Sequence, residues 1–195
     1  MIKEIIGYTT AITALPKVDS GPNTNGHEYV DLGLPSGTLW AKYNVGATKE
    51  TDYGEYFMYG MGSKTYDSTD TPYAGTEDPL DLTKDTARQT WGGDWHMPTS
   101  AQYQELIDNT TYEWTSINGV NGGKFTGQNG NYIFIPASGF YNNGNIQFVD
   151  MGGSIWSSTP YTDSNRIYYF GFGAGANSIY TDARTIGHSV RPVIG

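Results

Sequence analysis

The sequence predicts an α+β domain, with two helices among many short strands and long loops. Apolar residues fall mostly in short runs separated by turn signals, and only two segments combine helical spacing with start and stop residues. Glycine supplies the third observation. It accounts for 26 of 195 residues, about twice the usual share of roughly 7%. Asn-Gly pairs at Asn25, Asn118, Asn121, Asn129 and Asn143 mark turns. No repeat recurs at a fixed period, and the length allows one domain with a small N-terminal extension.

Residues 1–26 read as an arm or short strand. The segment Ile2–Val18 mixes β-branched residues, and Asp19-Ser-Gly-Pro-Asn-Thr-Asn-Gly26 has the composition of a turn-rich linker. The domain proper then spans 27–195. Tyr29-Val-Asp-Leu and Thr38-Leu-Trp-Ala are strand-like around the Leu34-Pro-Ser-Gly37 turn. The first helix is expected at about Lys84–Trp91, with Ala87 and Trp91 on one face and Gly92-Gly93 as the stop. The second begins after Pro98. Thr99 is its N-cap, Gln102 stands at the capping-box position, and Tyr103, Leu106 and Ile107 form its apolar stripe. Strand signals follow at Lys124-Phe-Thr, Asn131-Tyr-Ile-Phe-Ile-Pro136, Ile155-Trp-Ser-Ser158, Ile167–Phe172 and Ser189–Val193. Pro192 belongs at an edge or a strand end, because it cannot donate to a ladder.

Charge narrows the function classes. Twenty acidic and 11 basic residues give a formal charge of −9, and only 16% of residues are charged. A duplex nucleic-acid binder needs a basic face to displace counterions, and docking on an anionic membrane needs the same sign. Neither partner is expected. No apolar stretch reaches the roughly 18–20 residues of a spanning helix, and the N-terminal run is too polar for a secretory core. The absence of Cys excludes disulfides, thiol nucleophiles, Cys-ligated metals and a lipid-anchored Cys.

Several segments together resemble a C-type-lectin-like domain of the kind common in Bacteroidetes and their phages. They are Tyr29-Val-Asp-Leu-Gly-Leu-Pro-Ser-Gly-Thr-Leu-Trp40, Asn44-Val-Gly-Ala47, Trp91-Gly-Gly-Asp-Trp-His-Met-Pro-Thr99, Trp156-Ser-Ser158 and Gly187-His-Ser-Val-Arg-Pro-Val193. They resemble the "major paralogous domain" lectin-like proteins and, more remotely, formylglycine-generating enzymes. The stretch from Trp156 to Val193 is similar to the variable region of a diversity-generating retroelement target protein, where template adenines are rewritten and scaffold residues alternate with replaced ones. The resemblance implies a variable region at about 154–190. It implies scaffold roles for Trp156, Tyr168, Phe170, Phe172, Arg184, Gly187, Val190 and Arg191. It places rewritten, ligand-binding positions at Ile155, Tyr169, Gly171, Gly173, Ser178, Tyr180, Asp182, Thr185, Ile186 and His188.

Periodicity in Tyr168-Tyr-Phe-Gly-Phe-Gly173 divides the residues in the same way. Tyr168, Phe170 and Phe172 fall on one face of a strand and Tyr169, Gly171 and Gly173 on the other. Glycines weaken strands, so an outer face carrying two of them is poorly explained by packing and well explained by ligand fit. The 16 Tyr point the same way, since Tyr offers a large contact area at low rotamer entropy. Tyr161, Tyr169 and Tyr180 lie in the proposed variable region, and Tyr53, Tyr56, Tyr59, Tyr66 and Tyr73 in a Gly-containing insert whose Tyr56, Phe57 and Tyr59 can equally be core. The five Trp read as core, and Arg184 and Arg191 as buried or semi-buried partners for acidic side chains.

No catalytic constellation stands out. His27, His96 and His188 are widely spaced and match no zinc motif, and His96 is expected to pack or hydrogen-bond locally. Neither G-x-S-x-G nor a P-loop occurs. Formylglycine-generating enzymes need cysteines that this chain lacks, and the Glu-Pro-Asn and Gln-Pro-Asp triplets of calcium-dependent lectins are missing. Glu77, Asp78, Asp81 and Asp85 cluster in one loop; they read either as hard-oxygen calcium ligands or as solvated carboxylates with a helix N-terminal charge at Asp85.

The expectation is therefore a non-catalytic, retroelement-diversified binding protein, with no cofactor, that recognises a protein or glycan on a cell surface. Its place would be a phage virion or a bacterial cell surface. The alternative is a fixed-specificity, lectin-like bacterial adhesin that binds glycans.

Overall fold

A computed structural model describes residues 23–64, 70–162 and 165–195. Most of the expected arm, residues 1–22, and Tyr66 lie outside the described residues. Among the described residues the architecture is mixed, with two helices and four small antiparallel sheets.

The first sheet has the order β1-β2-β3-β12, formed by Asn23–Thr24, His27–Asp31, Leu39–Ala41 and Val193–Ile194. It joins the two ends of the described chain. Residues 23–26, expected as the end of a linker, instead build a hairpin onto β2: Asn23 pairs with Glu28 across a turn whose Asn25 and Gly26 both have positive φ, 48° and 81°. Similar two-residue Asn-Gly turns with both φ positive occur at Asn118-Gly119 and Asn143-Gly144. Asn129-Gly130 also turns, with only Gly130 at positive φ, whereas Asn121-Gly122 makes no turn. It lies inside a strand, where Gly122 faces Thr115 and Pro136 and a Cβ would meet the Ile135 carbonyl oxygen at 2.4 Å. Glycine is required there for close backbone approach rather than for a turn.

Helix α1, Thr86–Trp91, starts two residues later than expected because the Asp85 carboxylate accepts from the Arg88 N–H as N-cap. Gly92, at φ 66°, ends it. Helix α2, Ser100–Asn109, carries the expected capping box. The Thr99 hydroxyl accepts from Gln102 N and the Gln102 side chain accepts from Thr99 N. Its Tyr103 and Leu106 are fully buried.

Strands β4 (Thr110–Ile117), β5 (Val120–Gly127) and β6 (Tyr132–Pro136) form a meander. Strands β7 (Phe140–Asn142) and β8 (Asn145–Gln147) form a short hairpin. Strands β9 (Gly152–Pro160), β10 (Arg166–Gly173) and β11 (Asn177–Ala183) form the C-terminal sheet, with β10 in the centre. That sheet is packed on both sides. Ile155, Phe170 and Phe172 join a core with Trp40, Tyr103, Leu106 and Phe125. Trp156 and Ile167 join a second core with Phe57, Tyr59, Met97 and Val190, against which Tyr169 packs. A bulge between Ile167 and Tyr169 turns Ile167 toward the second core.

Arg191 shows why a charged residue can close such a molecule. It is fully buried, and Nε donates to Asn44 Oδ1 at 2.8 Å while Nη1 and Nη2 donate to the carbonyls of Ala41, Lys42 and Phe134. All four acceptors are neutral, not the acidic partner expected from sequence. Burial lowers its pKa to about 9, which leaves it charged at neutral pH. The segment before β12 is thus stapled to β3, the following loop and β6. Of the five Trp, Trp40, Trp95 and Trp156 are fully buried, whereas Trp91 and Trp114 are half-buried.

Candidate functional site

Alternation along β10 and its neighbours builds the site. On the face opposite Phe170, the cross-strand rows run Trp156–Tyr169–Tyr180 and Ser154–Gly171–Ser178. The β7–β8 hairpin and the turn at 148–151 stand against this face and enclose a groove of about 450 Å³, within the roughly 300–1,000 Å³ typical of ligand sites. Tyr169, Gly171, Gly173 and Tyr180, four of the residues expected to contact ligand, line it together. The opposite wall comes from Phe140, Phe148 and Met151, which were not expected. A hairpin signal was available in the apolar residues Phe140, Tyr141, Ile146 and Phe148 around Asn143-Gly144.

The other expected positions fall in different places. Ile155 is fully buried opposite Phe170 and belongs to the core, so it cannot present a side chain to a ligand. Strand alternation is the reason: Ile155 pairs with Phe170 and Trp156 with Tyr169, so Ile155 shares the core face. His188 is also fully buried. Ser178 is half-buried opposite Gly171, and Asp182 is half-buried opposite Ile167. Thr185 is exposed and Ile186 partly so, on the turn that follows β11.

Gly171 also amends the sequence reading. A Cβ there would meet the Tyr180 ring at 2.9 Å and the Tyr169 ring at 3.2 Å. Packing therefore does account for this glycine: Tyr180 lies across it. Tyr180 itself is 48% exposed, and its ring centroid is 5.7 Å from that of Tyr169.

Beneath the groove His188 fixes Tyr169. The two rings stack at 4.7 Å with an interplanar angle of 19°, while Trp156 and Phe140 meet the imidazole edgewise at 4.2 and 6.0 Å. His188 Nε2 lies 3.3 Å from Asp182 Oδ2. Burial lowers the His188 pKa, and the neighbouring Asp182 carboxylate opposes that only in part, so the ring is neutral. Burial raises the Asp182 pKa, but its contacts with His188, the Ala183 N–H and Arg166 outweigh burial and leave it below the ordinary carboxylate value. Burial raises the Tyr169 pKa, reinforced by Asp182 and Tyr180, so its phenol stays protonated.

The acidic loop is organised differently from a calcium site. Both Asp85 oxygens are engaged, by the N–H groups of Arg88 and Met97, and Asp81 accepts from Thr83 N. Glu77 accepts from the Tyr73 hydroxyl. Among the described residues no group of three or more His, Cys, Asp or Glu could hold a metal ion. His96 makes the expected local contact, Nδ1 lying 3.0 Å from the Met97 carbonyl, and also reaches the far end of the chain, with Nε2 3.0 Å from the Gly195 carbonyl. Tyr56 and Tyr59 are buried, and Tyr53 reaches across to Asp150. Among the described residues no helix is long and apolar enough to cross a membrane.

Comparison with protein-family models, with curated proteins and with solved structures found no match to this chain.

Proposed function

We propose that this chain is a non-catalytic binding protein whose groove face on β9–β11 recognises a protein or glycan on a cell surface. One observation carries the reading. Residues of a single strand divide between a closed core, which takes Phe170, and an open groove lined by Tyr169, Gly171 and Gly173, with Phe172 packed in the core and reaching the groove floor and Tyr180 completing the groove from the next strand. Such a layout lets side chains change on one face while the other holds the backbone, and a rigid backbone limits the entropy lost on binding. It suits a C-type-lectin-like variable protein of a diversity-generating retroelement, displayed on a phage virion or a bacterial cell surface. The diversified set then comprises Tyr169, Gly171, Gly173, Ser178, Tyr180, Asp182, Thr185 and Ile186, with Ile155 and His188 removed from it by burial.

Deep sequencing of the gene's 3′ end across its source population tests this. Substitutions concentrated at those positions, with Trp156, Phe170 and Arg191 fixed, support diversification; sparse and scattered variation overturns it. One observation favours the second reading, a fixed-specificity adhesin. Gly171 is held by the rings that cover it, so any larger residue there must displace Tyr180. An invariant Gly171 and Tyr180, with glycan binding shared by natural variants, would establish that reading instead.

A further inference from the structure

The groove wall outside the proposed variable region has its own chemistry. Phe148 and Met151 are 55% and 68% exposed, and the Phe148 ring lies tilted against Phe140 at a centroid distance of 5.6 Å. Phe148 has φ 59° and Asp150 φ 61°. For a bulky residue such as Phe that conformation is an outlier, which persists only where the surroundings over-determine it. Here they do. Asp150 N donates to the Ala137 carbonyl at 2.8 Å, the Tyr53 hydroxyl donates to Asp150 Oδ1 at 2.7 Å, and the Asn121 amide donates to the Asp150 carbonyl at 3.1 Å. The Met151 and Gly152 N–H groups both donate to the Phe148 carbonyl. The turn is thus held rigidly while its two large apolar side chains stand in solvent.

The groove lining contains no Asp, Glu, Lys or Arg. Its polar side chains are the Ser154 hydroxyl and the phenols of Tyr169 and Tyr180. A sugar ring sunk into it would find few side-chain partners for its hydroxyls, and unpaired buried polar groups are costly. The groove's glycines keep the floor low, and the side chains that stand on it are mostly aromatic residues and Met with charge excluded, as in a protein–protein interface core, where Met adapts to irregular partners. Charge fixes the surroundings as well. A chain of net charge −9 attracts a basic surface at long range, while a groove lined by no charged side chain offers no ion-pair partner to a charge buried in it.

We propose that the groove takes an uncharged aromatic or aliphatic side chain projecting from a basic surface of a protein partner, with the Phe148–Met151 turn as the constant half of the contact. This rests on the reading of the groove as a binding face. The constant wall supplies affinity common to all partners, and the Tyr169–Tyr180 side sets which partner fits.

The test is a titration of the ¹⁵N-labelled full chain with N-acetyl-tryptophanamide, and separately with methyl α-mannopyranoside, followed by amide chemical shifts. The expected result is a saturable shift, in the millimolar range, confined to the amides of Phe148, Met151, Gly152, Gly171 and Gly173 for the tryptophan amide, with none for the glycoside. Phe148→Ser with Met151→Ser should weaken the tryptophan amide by about five- to tenfold. Unchanged shifts elsewhere show that these exposed substitutions leave the fold intact. Groove shifts from the glycoside but not from the amide overturn the occupant and leave the binding face standing. Full affinity in the double variant overturns the role of the turn, and silence of the groove toward both probes overturns the proposal. Population sequencing fails or succeeds independently of all three results, so loss of the diversified reading is distinguishable.

Discussion

The two faces of strand β10 (Arg166–Gly173) are built from neighbouring residues under opposite constraints. Phe170 is fully buried, its ring stacked on Tyr103 at 4.9 Å and edge-on to Phe125 at 5.5 Å. One residue away, Tyr169 leans on His188 and opens onto the groove. The core face is closed by α2 and the β4–β6 meander; the groove face is closed by the second core around Trp156 and Ile167, and only in part, by a short hairpin and a turn, around Gly171 and Gly173. Stability and recognition are therefore separable at single-residue spacing, and the separation can be tested substitution by substitution.

The largest effect is expected on the closed face. Phe170→Ala removes a ring that touches Tyr103, Phe125 and Phe172 and leaves a cavity, so it should cost about 3–5 kcal/mol. Urea unfolding checks this through a lower midpoint at unchanged slope. A cost below about 1 kcal/mol would mean that the face is not the rigid support described. Arg191→Met comes next. It keeps much of the side-chain volume but strips the donors from Asn44 and three carbonyls, so about 3 kcal/mol should be lost. A neutral result would show that those carbonyls find other donors.

The buried imidazole gives the comparison a pH axis. His188 has a folded-state pKa below its ordinary value of 6.5. The unfolded chain therefore takes up this proton more readily than the folded one. The stability linked to His188 is fully present above about pH 6.5 and is lost as the pH falls through the folded value. His188→Phe keeps a ring against Tyr169 and removes the titration, so the readout is the slope of stability against pH below 6.5, which should flatten relative to the parent chain. His27 also has a lowered pKa, caused by burial, and remains in both proteins, so its contribution cancels in the difference. An unchanged slope would place the proton linkage elsewhere.

The sequence showed these regions unevenly. Both helices were legible because their signals are local: Thr99 with Gln102, and Gly92 after Trp91. The alternation in β10 was legible because Tyr168, Phe170 and Phe172 fall in one register while Gly171 and Gly173 fall in the other. Strand β11 was not, since Asn177-Ser-Ile-Tyr-Thr-Asp-Ala183 is a half-buried edge strand without a clear apolar rhythm. Tyr112 and Trp114 alternate in β4 before an Asn-Gly turn, a strand signal that was there to be read. For the site, Tyr169, Gly171 and Gly173 followed from strand period and Tyr180 from the family resemblance alone, but the register that buries Ile155 and the fold that buries His188 are tertiary facts. So is the wall of Phe140, Phe148 and Met151, which a loop of unrelated position brings opposite β10.

The smallest effect on stability is expected at Tyr180, and it decides whether the two faces differ in kind. Tyr180 pairs across the strands with Tyr169 and covers Gly171, yet its ring is half in solvent and in neither core. Tyr180→Ala uncovers Gly171 without opening a closed cavity, so the unfolding free energy should stay within about 0.5 kcal/mol of the parent, as at ordinary surface sites. The same substitution removes one wall of the groove, so affinity for any groove ligand should fall while stability does not. A loss above about 2 kcal/mol would instead make Tyr180 a structural lid over β10. The packing of the second core would then extend across Gly171 to the end of the sheet, and position 180 could not vary freely among natural sequences.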